Sequence, residues 1–137
     1  MSRSNTQELL LDHVGISVTD IEAALAFYDA ALAPLGITRL MSYGPTGGQI
    51  DHVGYGSRFK PYFWVGLGSQ ASGHVHLAFA APDRASVDAF YAAAIKAGGQ
   101  DNGPPGLRPH YHPGYYGAFV LAPGGLNIEA VHHTFST

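Results

Sequence analysis

The chain has 137 residues, 46% of them apolar and 12% charged, which suits a single domain with a sizeable buried core. Seven Lys plus Arg stand against ten Asp plus Glu with no basic cluster, so the chain offers no electrostatic footprint for nucleic acid. Cysteine is absent, which excludes disulfide frameworks, cysteine-based zinc fingers, iron–sulfur clusters and thiol nucleophiles, and fits a reducing compartment.

The opening MSRSNTQELLLDHV holds one three-leucine run, short of the hydrophobic stretch of a signal peptide, and no apolar run approaches a membrane span. A cytoplasmic protein without a membrane partner is expected. Alternation from Leu11 to Val18 predicts a first strand. Asp20 then stands where an N-cap belongs, ahead of an Ala/Leu/Phe pattern that ends at Gly36, a C-terminal glycine. Strands are predicted near Thr38 to Tyr43, Gln49 to Ser57 and Pro61 to Leu67, divided by the turn sequences GPTGG and SRFKP. GHVHLAFAAPD, from Gly73 to Asp83, starts a second strand and helix, capped by Asp83 and ended by Gly99. After it come NGPPGLRPHYHPGYY, GAFVLAP and LNIEAVHH, with a strand near Arg108 to His112 that flanking prolines weaken.

Sliding the chain by 63 residues lays His13 to Gly36 on His76 to Gly99 without a gap, with eight identities in 24 positions. His13 meets His76, Asp20 meets Asp83, and Phe27 and Tyr28 meet Phe90 and Tyr91. The expected architecture is therefore α+β, one domain over residues 1–137 built from two repeated modules, about 9–70 and about 71–135.

Face parity selects candidate ligands. Val14, Ile16 and Val18 form the side that a helix must cover, which turns His13 to the other face with Leu11, Gly15 and Ser17. The same parity aims His76 away from Leu77 and Phe79, and Glu129 away from Ile128 and Ala130. A carboxylate at that place must be paired, solvated or bound to a cation. Two imidazoles and one carboxylate on a concave face suit Zn, Ni, Fe, Mn or Co, and with open positions they make the ligand set of non-haem Fe(II) oxygenases. DHVG also recurs at Asp51 to Gly54 but leads into glycine and proline, so His52 is read as a strand histidine.

The stretches LDHVGISVTDIEAALAFY, HLAFAAPDRASVDAFYAAAIKAGG and YYGAFVLAPGGLNIEAV, in this order and spacing, resemble the vicinal oxygen chelate superfamily. That superfamily holds glyoxalase I, extradiol ring-cleaving dioxygenases, and bleomycin or fosfomycin resistance proteins. The resemblance implies two βαβββ modules in pseudo-twofold repeat whose curved mixed sheet forms a cup. In the cup a divalent metal, here Fe, Ni, Zn or Mn, chelates two neighbouring oxygens of a small-molecule substrate. It implies His13, His76 and Glu129 as the metal ligands, and it prefers His76 over His74, which lies two residues earlier at the rim. Glyoxalase I carries a further glutamate where this chain has Gly66, whereas extradiol dioxygenases use two histidines and one glutamate.

The resemblance also asks for a histidine and a tyrosine near the reacting atoms, and RPHYHPGYY offers His110, His112 and Tyr116 as catalytic candidates; the segment equally fits a structural loop. Trp64, Gly66, His74, Arg108 and Tyr115 are candidates to line the pocket. Two functions stay open: a metal-dependent lyase, isomerase or dioxygenase, or an antibiotic-type binding protein that does no chemistry. The family pairs its modules within one chain or across two, and a homodimer is expected.

Overall fold

The computed structural model describes residues 11–45, 48–69 and 75–134. Its first module runs β1 (Val14–Val18), α1 (Ile21–Leu32), a 3-10 turn (Ala33–Leu35), β2 (Thr38–Tyr43), β3 (His52–Ser57) and β4 (Lys60–Leu67). The second runs β5 (His76–Ala80), α2 (Arg84–Lys96), the short strands β6 (Gln100–Asp101) and β7 (Gly106–Leu107), then β8 (Tyr115–Leu121) and β9 (Asn127–His133).

Both helices begin as the repeat predicts. The Asp20 carboxylate accepts from the Ala23 amide at 3.1 Å, and Asp83 accepts from the Ser86 amide at 2.8 Å, satisfying amide groups that have no partner inside the helix. Ile21, Ala24, Leu25, Tyr28, Ala31 and Leu32 recur at helical spacing and bury one face of α1. Phe90 and Val87 do the same for α2.

Each module folds its strands in one order, β1-β4-β3-β2 in the first and β5-β9-β8-β6 in the second, with β7 also pairing β8. The first strand lies parallel to the last in both. Among the described residues the chain thus holds two sheets, of four and five strands, in place of one continuous sheet. The modules meet through their helices, with α1 against α2, and through an edge-on contact of Phe63 with Phe79 at 5.2 Å. Tyr55 ties the first module together: its hydroxyl donates to Asp29 at 2.9 Å, and Asp29 accepts a two-pronged contact from Arg39. Burial first, then the Asp29 hydrogen bond, raises the Tyr55 phenol above its ordinary range, so it remains a donor.

Two expectations change. Residues 109–111 form a turn and His112 is irregular, with no strand there, and the outer strand of the second sheet is split into β6 and β7. Pro104, Pro105 and Pro109 supply no amide hydrogen to a ladder there. The left-handed residue after α2 is Gly98, at φ 107°, while its repeat counterpart to Gly36 (φ 80°), Gly99, serves close packing. A Cβ on Gly99 would lie 2.4 Å from a Val120 methyl and 2.8 Å from the Phe27 ring. Gly99→Ala is expected to destabilise the protein by about 1–3 kcal/mol through this overpacking, read from urea unfolding.

Candidate functional site

His76 opens β5 and Glu129 sits in the middle of β9, and the parallel register places His76 opposite Asn127 and Ala78 opposite Glu129. Both side chains lie on the sheet face that the helices leave uncovered. The His76 ring is fixed at both nitrogens: Nδ1–H donates to the Asn127 carbonyl at 3.1 Å, and Nε2 faces Glu129 Oε1 at 2.9 Å. Glu129 is 1% exposed, and its Oε2 accepts a short hydrogen bond from the Tyr115 hydroxyl. Gly117 makes the space, since a Cβ there would stand 2.9 Å from Oε2. Burial, then the Glu129 contact, pushes the Tyr115 phenol above its ordinary range.

This geometry accommodates a positive charge between His76 and Glu129. With Nδ1–H committed to a carbonyl, Nε2 and a carboxylate oxygen attract each other only across a proton or a metal ion. Two ligands at right angles on a cation with bonds of about 2.1 Å stand about 3.0 Å apart, close to the spacing seen here. The carbonyl behind Nδ1 is also the support that ligating histidines ordinarily have. Among the described residues, no trio of His, Asp and Glu gathers as a metal cluster, so the chain presents two ligands together and not three.

Around this pair the wall is aromatic. Phe119, the register partner of Glu129, stacks on His76 at 5.9 Å, and the Arg108 guanidinium lies 5.4 Å from the Phe119 ring. Arg108 is held by the carbonyls of Gly106 and Pro104 at 2.9 and 2.8 Å. His110 packs on Tyr111, Tyr111 packs on Tyr115, and the His112 ring meets His133 at a nitrogen separation of 2.9 Å. Tyr116 points the other way: its hydroxyl donates to Asp88 of α2 at 2.6 Å, under Arg84. His74 lies outside the described residues.

His13 belongs to the first module's open face. Its Nδ1 contacts Asp12 at 2.7 Å, and Asp12 accepts from Lys60 at 3.1 Å; these partners, His13 foremost, hold the Asp12 carboxyl below its ordinary range. His13 lines a cleft of about 640 Å³ with Gly15, Tyr43, His52, Lys60, Pro61 and Trp64. Gly66 borders the adjoining hollow beside His52 and Trp64. Sequence reasoning missed Tyr43, His52, Asn127 and Phe119. Strand parity placed Phe119 beside Glu129 in principle, but the support from the Asn127 carbonyl depends on register, which parity leaves open.

A family model for the glyoxalase/bleomycin resistance protein/dioxygenase superfamily matches residues 10–130. The chain belongs to this superfamily. Solved superfamily structures agree with the fold. A glyoxalase/bleomycin resistance protein from Albidiferax ferrireducens T118 is 32% identical, covering 90% of this chain and 98% of that one, with a TM-score of 0.71. A putative glyoxalase from Bacillus halodurans is 25% identical over 90% and 95% of the two chains, at 0.66. A family enzyme from Burkholderia phytofirmans PsJN, 22% identical over 90% and 98%, also reaches 0.66 and shares the fold. No curated protein matches the chain closely. Among the described residues no helix is long and apolar enough to cross a membrane.

Two outcomes are expected in chelator-treated protein. His76→Ala leaves the buried Glu129 short of a partner and should lower urea-unfolding stability by about 1–2 kcal/mol, the low end reflecting the 45% exposure of the imidazole. Because folding raises the Tyr115 phenol, its contribution is complete below the ordinary tyrosine value of about 10 and is lost as pH rises through the higher folded value. The alkaline fall in melting temperature should therefore be shallower in Tyr115→Phe than in the parent.

Proposed function

We propose that this superfamily member is a metal-dependent enzyme acting on a small molecule with two neighbouring oxygens. The cation would be held by His76 and Glu129 of one copy and by His13 of the partner subunit in a homodimer. The observation that carries this reading is the buried Glu129, fixed by Tyr115 on one oxygen and set 2.9 Å from His76 on the other. Such a group is costly unless a cation completes it.

Two histidines and one carboxylate suit Fe, Mn, Ni or Zn and leave positions for a bidentate substrate. A cation there supplies Lewis-acid polarisation of the chelated oxygens. The chain does the rest: the Asn127 carbonyl sets the His76 tautomer, Tyr115 fixes the Glu129 carboxylate, Phe119 excludes water from one side, and Arg108 offers positive charge across that ring. His110 and His112 stay candidates for proton transfer at the edge of this face, beside Tyr111 and Tyr115. Tyr116 is committed to Asp88 and takes no part.

Assembly from two copies is supported by the sheets themselves. Among the described residues β1 and β5 are both terminal strands with an unpaired edge, and apolar Leu11, Met41, Leu67 and Val75 are exposed. Gly66 stands where a fourth acidic ligand would be, which favours the two-histidine, one-glutamate chemistry of ring-cleaving oxygenation over a proton shuttle between two carboxylates. The competing reading, a sequestering protein without chemistry, needs the cleft and no cation.

Elemental analysis of untagged protein should find near-stoichiometric divalent metal, absent from His13→Ala and from Glu129→Ala. Mixing those two variants under conditions that exchange subunits should restore metal to about a quarter of the sites, because one of the two sites in each mixed dimer is intact. No restoration would place the site within one chain, and no metal in the parent after reconstitution would leave sequestration as the function.

A further inference from the structure

The first module's open face is cleared by glycines and floored by rings. Trp64 lies between Gly15 of β1 and Gly54 of β3 in register, and a Cβ on Gly54 would come within 2.7 to 2.9 Å of three indole ring atoms. The indole therefore lies flat across Gly54. Tyr43 and His52 are register partners on β2 and β3, stacked at 5.0 Å with 24° between planes, and Tyr43 is nearly parallel to Trp64 at 6.1 Å and 25°. Gly66, opposite His52, keeps the neighbouring row low. None of these three rings belongs to the main core: Tyr43 is 44% exposed, and the cleft of about 640 Å³ lies in front of them.

We propose that Tyr43, His52 and Trp64 form a stacking platform that selects a planar aromatic or heteroaromatic ring bearing oxygen substituents. The proposal rests on the reading of the open faces as a small-molecule site and names the ligand class of that site. Aromatic faces bind a flat ring through offset stacking, which a saturated ring of equal size cannot match. At the rim the His13 and His52 imidazoles offer polar contacts to ring oxygens. Lys60 and Asp12 are already paired with each other, and Asp51 contacts the His52 ring, so the rim presents no run of like charge and suits a neutral or singly charged ligand. Three glycines on one sheet face weaken the strands that hold them, and the platform is what their absence of side chains makes possible.

The test is calorimetric titration of chelator-treated protein with naphthalene-2,3-diol and with its fully saturated counterpart. Trp64 is the one tryptophan of the chain, so its fluorescence reports in parallel whether a bound ring sits on the platform. The aromatic diol should bind about tenfold more tightly than the saturated one and perturb Trp64 emission. Tyr43→Leu, at an exposed rim position, and Gly54→Ala, which tilts the indole, should each weaken the aromatic diol about fivefold while circular dichroism stays unchanged. Equal affinity for the two diols, no binding of the aromatic diol by folded parent protein, or indifference to both substitutions would overturn the platform. Metal is removed throughout, so failure of the metal reading leaves this result standing, and metal retained at full stoichiometry in Tyr43→Leu separates the two in the opposite direction.

Discussion

Glu129 lies in the middle of a strand with almost none of its surface in water, where an unpartnered carboxylate would cost several kcal/mol. The local structure of the second module is arranged around relieving that cost. Gly117 leaves room for the carboxylate, Tyr115 donates to one oxygen, and the His76 ring stands against the other. His76 is in turn aimed by a carbonyl of the strand that carries Glu129, so the parallel pairing of β5 with β9 sets the donor geometry. A one-residue slip of β5 in that pairing would turn His76 to the helix-covered face and leave Glu129 and Tyr115 behind on the other.

The repeat explains why the two halves of the molecule do different work. Each module has a helix on one face and leaves the other open, and only residues of open-face parity are free to serve a ligand. In the second module that parity holds a carboxylate, an imidazole and a phenol. In the first it holds glycines and flat rings, with His13 at the edge. One face is thus suited to charge and the other to shape.

Much of this was legible in the sequence because it depends on local rules. Asp20 and Asp83 as caps, the helix-facing rows of Val14 and Ile16 and of Leu77 and Phe79, and the open-face placement of His76 and Glu129 all follow from periodicity. What failed depended on backbone bonding or on contacts distant in sequence. The prolines of the 104–113 segment broke the outer strand more thoroughly than one weakened strand allowed. Tyr116 was drawn to α2 because its neighbour Tyr115 holds the open-face parity, and the two cannot share a face. His52 does stand in β3 as the strand histidine that its DHVG stretch implies, while its stacking with Tyr43 on the neighbouring strand is something only the register reveals.

The parallel pairing of first and last strands has a consequence for assembly. Because β1 closes on β4 and β5 on β9, every ladder among the described residues is completed inside its own module. Exchanging modules between two chains would then break none of these ladders; it would trade one set of side-chain contacts, such as the α1–α2 packing and Phe63 against Phe79, for the same set made with another molecule. The balance between closed and exchanged forms is therefore a matter of chain concentration and of the connection after Leu67, and evolution can move it with substitutions in that segment while leaving both sheets intact.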